Sequence, residues 1–254
     1  MMPLTRIAVV TAALSITVLC PVTSRAQALP PASDVIAKYV AAIGGKDALM
    51  KVTSLKQIAT MEVPAAGLSA SMEMYSAAPN KIAVKTNIPG MGEMQQGYNG
   101  TVAWDVNPMQ GPRLLADKEL LNTADNADFY GNLLYSADSF ASMETVSDTT
   151  INGEKAFKVK MVRKATMKES LSYFSAASGF LVAGVSTQES PMGSLVVSST
   201  MSEYKQFGAL MMPTKLEQQM GPQRLVVTIT EVVINGATDA AFAVPEQVKP
   251  LIKP

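Results

Sequence analysis

The sequence predicts a mainly β protein (α+β), a single curled antiparallel sheet forming an incomplete barrel, with an N-terminal helix and inserted lid helices. Three observations lead there. Apolar and polar residues alternate with period two over residues 55–106 and again over 143–233. Gly, Pro and Asn punctuate these runs at short spacing, as local turns between antiparallel strands require. Between the two strand trains, residues 117–140 change to a helical pattern. Roughly eleven short strands are too many for a flat exposed sheet, so the sheet must curl. The inserted helices are then the natural cover for its apolar concave face.

Taken in order, residues 1–28 read as a cleaved signal peptide. Arg6 supplies the positive charge, an apolar run follows to Leu19, and Ala26-Gln27-Ala28 is a small-x-small cleavage site. The reading implies export to the periplasm and one domain over 29–254. Ser33 or Asp34 can cap a helix over 35–43, with Val35, Ile36, Tyr39, Val40 and Ile43 on its apolar face. Gly44-Gly45 stops it and a short helical turn follows.

Strands are expected over 55–63, 68–75, 82–88, 95–98 and 101–106, with Asn99-Gly100 as a two-residue hairpin. Val102, Trp104 and Val106 share a face of the last of these. In the helical stretch Leu120, Leu121, Ala124, Ala127 and Phe129 form a ragged apolar face, with a split expected at Gly131. Strands resume over 143–150, 156–163, 169–175, 181–188, 195–204, 215–220 and 224–233, with turns that include Asn152-Gly153 and 191–193. The Pro-containing tail after Phe242 is expected to run extended over the surface.

Composition narrows the function. The chain has no histidine, and its one cysteine, Cys20, falls inside the leader. The exported form therefore lacks imidazole and thiol, the most versatile acid–base group and the strongest nucleophile. It also lacks the usual nitrogen and sulfur ligands of zinc. Of 21 basic residues two lie in the leader, so 19 face 21 acids, a net charge of −2 that does not suit nucleic acid as a partner. Met91, Met94, Met72, Met74, Met211 and Met212 are spaced for strand packing rather than for thioether ligation of copper. Neither Asp125 with Asp128 nor Glu62 facing Glu73 across a hairpin comes with the aromatic cleft of a glycosidase. No Gly-x-Ser-x-Gly elbow is present. No catalytic residue, metal site or cofactor is implied.

The phrases Ala41-Ala-Ile-Gly-Gly-Lys-Asp-Ala-Leu49, Ile88-Pro-Gly-Met-Gly-Glu93 and Gly97-Tyr-Asn-Gly-Thr-Val-Ala-Trp104, with Pro108-Met-Gln-Gly-Pro-Arg113, Tyr173-Phe-Ser175 and Thr187-Gln-Glu-Ser-Pro-Met-Gly193, span nearly the whole exported chain. In these it resembles an uncharacterised exported branch of the outer-membrane lipoprotein-sorting proteins, the LolA/LolB-like superfamily. The resemblance implies an opening helix, an incomplete antiparallel barrel and helices inserted midway as a lid over an apolar cavity. Those carriers use an arginine among the early strands for handover, and this chain has none between Arg25 and Arg113, so none is carried over.

The expectation is thus a monomeric, non-enzymatic carrier that binds a lipid or acyl chain, with an envelope protein or lipoprotein as the other candidate partner. Its apolar pocket would be lined by Met61, Leu68, Met72, Met74, Ile82, Val84, Trp104 and Phe157. Leu120, Leu121 and Phe129 would belong to the lid, and Arg113 would meet a head group. The alternative is a structural or interaction module of the envelope, its core filled by its own side chains.

Overall fold

The computed structural model describes residues 28–190 and 193–252. The expected leader, Ala28 apart, and the turn at 191–192 lie outside the described residues. Helix α1 (Ala32–Ala42) and the short α2 (Lys46–Leu49) open the chain. Six strands follow: β1 (Ser54–Val63), β2 (Leu68–Ala77), β3 (Lys81–Ile88), β4 (Gly92–Tyr98), β5 (Ala103–Asn107) and β6 (Gly111–Leu114). Helices α3 (Asp117–Asn126) and α4 (Phe129–Leu134) come next. Seven more strands complete the sheet: β7 (Phe140–Ile151), β8 (Glu154–Arg163), β9 (Glu169–Ser175), β10 (Leu181–Ser190), β11 (Gly193–Phe207), β12 (Leu210–Met220) and β13 (Gln223–Ile234).

All thirteen strands form one antiparallel sheet in the order β6-β5-β4-β3-β2-β1-β13-β12-β11-β10-β9-β8-β7. Two meanders meet in the middle, where β1 pairs with β13 from Leu55↔Ile234 to Glu62↔Val226. The outer edges are β6 and β7, and one connection joins them directly. That connection contains α3 and α4. A segment this short can link opposite edges of thirteen strands only if the sheet curls toward itself, as twisted sheets of this size do. The result is an open half-barrel with α3 and α4 crossing its concave side.

Register decides which residues face inward, because paired residues share a face. Ile82, Val84 and Thr86 pair with Ser76, Met74 and Met72. Those pair in turn with Leu55, Gln57 and Ala59. At the far end Val159, Met161 and Phe174 point inward and are fully buried beneath α1 and α4. There Tyr39, Tyr135 and Phe174 meet edge to face at 5.4–5.5 Å, an arrangement aromatic rings favour. At the near end α3 lays Leu120, Ala124 and Ala127 on Ile82, Tyr98, Ala103 and Leu115.

Several local expectations change. α1 starts at Ala32, ahead of Ser33 and Asp34, because the Pro31 carbonyl already accepts from Asp34 and Val35. The helical stretch breaks at Ala127–Asp128 rather than at Gly131. Asp128 caps α4, its Oδ1 accepting from the Gly131 amide at 3.0 Å, which packs Gly131 against the cap. The turn at Asn152-Gly153 is as expected, with φ of 50° and 85° between Ile151 and Glu154, the backbone of a tight hairpin. The tail does more than run over the surface. Phe242 and Val248 are buried, and Val244 and Val248 close over Trp104 and Val106 on the convex side.

Candidate functional site

A cavity of about 490 Å³ lies beneath α3, within the range of roughly 300–1,000 Å³ usual for small-molecule sites. One wall is Ile82 and Val84 of β3 with Gln96 of β4. The opposite wall is Ser170 and Ser172 of β9, Gly184 and Ser186 of β10, and Ser199 and Met201 of β11. Tyr135, Phe140 and Arg163 line it as well.

The helix crossing above is amphipathic in an informative way. Its apolar stripe, Leu120, Ala124 and Ala127, is spent on the near end of the sheet. Glu119, Asn122, Thr123 and Asn126, at i, i+3, i+4 and i+7, line the cavity. The cavity is therefore amphiphilic, apolar toward β3 and polar toward α3 and β9–β11. The Nδ2 atom of Asn122 is buried without a hydrogen-bond partner.

Charges on this wall are matched by the protein. Arg163 approaches Asp125 at 3.5 Å and Asp128 at 3.4 Å, bonds to Asn132, and lies 4.6 Å above the Phe140 ring. Arg163 and Asp125 side chains are only 13% and 12% exposed, which makes their pairing necessary. Burial pushes the Asp125 carboxyl above its ordinary value, against the pull of Arg163 and a hydrogen bond from Thr166. Lys168 donates to the Thr187 carbonyl at 3.5 Å, and Glu169 meets Lys160 at 2.7 Å.

The residues expected at the site separate into groups. Ile82 and Val84 line the cavity. Met61, Leu68, Met72 and Met74 share their face, by register, but lie half-buried on the neighbouring strands outside the cavity wall. Phe157 pairs with Phe174 and packs into the main core under α1. Trp104 is a correction. It pairs with Gly97, which pairs with Ala83, so it points to the convex face opposite Ile82 and Val84, where the tail buries it.

Leu120 packs down on the sheet, Leu121 is 53% exposed, and Phe129 is buried in the main core. Arg113 is a second correction, since its guanidinium is occupied by Asp105 and Glu119 and does not line the cavity. Glu62 and Glu73 do not face each other, being opposite Ser69 and Ile58. The inward serines are not legible in the sequence, because a serine alternating along a strand looks the same on a wet outer face. Their phase with the core residue Phe174 is the signal that separates the two.

A curled antiparallel sheet, incomplete as a barrel and bridged by helices on its concave side, is a LolA/LolB-like fold. Among solved structures it is similar to a LolA superfamily protein of Nitrosomonas europaea, at TM-score 0.56 and 13% identity over 85% of this chain and 98% of that one. A DUF1329 family protein of Desulfovibrio piger matches with TM-score 0.56 and 10% identity, again over 85% and 98%. A domain assigned to the outer membrane lipoprotein-sorting proteins of Vibrio parahaemolyticus matches with TM-score 0.53 and 11% identity over 82% and 94%. At such identities the likeness is one of fold. No protein-family model matches the sequence, and no curated protein matches it.

Proposed function

We propose that this protein is an exported, periplasmic, non-enzymatic carrier whose single domain, residues 29–254, holds a lipid or acyl chain in the half-barrel. The observation that carries the reading is the cavity beneath α3, bounded on both sides by inward strand faces. The segment from about Leu114 to Phe140 serves as a movable lid, since it connects the two sheet edges β6 and β7. Met72 and Met74 extend the apolar wall beyond Ile82 and Val84, and flexible methionines suit an alkyl chain. Each methylene so buried contributes about 0.8 kcal/mol. Fold likeness to a LolA superfamily protein and a lipoprotein-sorting domain supports the same reading.

The test is native mass spectrometry of the protein purified from bacterial periplasm without detergent. A bound mass of several hundred daltons that extracts as lipid, and that disappears when Met72 and Met74 are both replaced by Asp, is the expected result. An apo mass that gains nothing on addition of fatty acids, acylglycerols or phospholipids would leave the interaction module as the better account.

A further inference from the structure

Resting on the carrier reading, the polar wall specifies what kind of head group the ligand has. Every ionised side chain lining the cavity already has a protein counterpart. Glu119 holds Arg113, Asp125 holds Arg163, and Glu169 holds Lys160. Lys168 acts on Asp125 and donates to the Thr187 carbonyl. A charged head group would have to displace one of these pairs, or lie against this wall without a counter-ion of its own.

The neutral groups tell the opposite story. Ser170 and Ser186 are directly opposite each other on β9 and β10. Both line the cavity from inward strand positions, Ser170 half-buried and Ser186 exposed at its mouth. Asn122 lines the same cavity from α3, and its buried Nδ2 lacks an acceptor, an unfavourable state that an ester or hydroxyl oxygen reaching it would relieve.

We propose that the ligand is a single-chain amphiphile with an uncharged, hydroxyl- and ester-bearing head. The head lies between Asn122 and the Ser170–Ser186 pair, and the chain runs along Ile82 and Val84 toward Met74.

The test compares decanoylglycerol, decanoate and decyltrimethylammonium, each below its micellar concentration, by isothermal titration calorimetry on the exported protein. The neutral probe should bind at least about tenfold tighter than either charged one. Asn122→Leu should cut neutral binding by about tenfold and leave the charged probes unmoved. Should Asn122→Leu lose its cooperative melting transition, the Ser170→Ala/Ser186→Ala double variant replaces it with the same expectation. Equal or tighter binding of a charged probe overturns this assignment while leaving the carrier standing. Binding of none of the three overturns this assignment, and the carrier reading falls with it when phospholipid also fails to bind.

Discussion

Arg113, on the edge strand β6, grips Glu119 in the first turn of α3 through two hydrogen bonds, Nη1 to Oε2 at 2.8 Å and Nη2 to Oε1 at 3.1 Å. Its Nε donates to Asp105 at 3.0 Å, so one guanidinium fixes the start of the crossing helix to the sheet edge. Arg113→Lys keeps the charge and loses the fork. It should speed amide exchange over 117–126 without disturbing β1–β5, read by hydrogen-exchange mass spectrometry. The stability loss should be small, about 1 kcal/mol, because both side chains are near one-third exposed. Unchanged exchange across α3 would count against the tether.

The other end of α3 responds to pH. The Asp125 carboxyl has its pKa raised, first by burial, so the folded chain binds this proton more tightly than the unfolded chain. The sign follows from linkage. Its contribution to stability is present at low pH and is lost as pH rises from the usual carboxylate value through the raised one. Asp125→Asn carries no such dependence. The wild-type advantage over this variant should therefore shrink between about pH 3 and pH 7, measured as the difference in urea midpoints. An advantage that grows over that interval would contradict the assignment.

Gly97 has no room for a methyl group. A Cβ there would stand 2.4 Å from Trp104 Cζ2 and 3.0 Å from the Ile82 carbonyl oxygen. Gly97→Ala should cost about 1–3 kcal/mol by overpacking. Combining it with Trp104→Leu should recover part of that loss, a coupling that a double-mutant cycle in urea would measure.

Trp104 is the sole tryptophan, so intrinsic emission reports the tail contact rather than the cavity. Val248→Asp puts a carboxylate against the ring at a fully buried position. Its emission should shift to the red, while ligand added to the wild type should leave emission unmoved. A large ligand-induced shift would place the binding site on the convex side instead.

Much of this architecture is legible in the sequence because strand alternation and turn residues are local signals. The exceptions have local causes too. The strand β6 is short and contains Pro112, so it carries no alternation. Asn99-Gly100 reads as a two-residue hairpin, yet Tyr98 pairs with Ala103 across a four-residue loop. The Asn99 side chain takes the amides of Thr101 and Val102 and so widens the turn.

The cavity is less legible. Alternation puts Val102, Trp104 and Val106 on one face but does not say which face is concave. That is fixed by the tail, more than 130 residues later, closing over the ring. The Arg163 cluster likewise joins β8 to α3 and α4 across 31 residues or more, beyond any local pattern.

The central pairing of β1 with β13 governs how the chain can acquire this shape. Leu55 waits for Ile234, so the first strand made obtains its second neighbour only from the last. Both meanders can zip locally, but the seam between them closes a loop that holds most of the polypeptide, the costly kind of contact that slows folding. A chain interrupted before residue 223 would present the open edge of β1 to solvent or to a neighbouring chain. Completion of synthesis, rather than formation of the first hairpins, is therefore the event that commits this protein to its native state.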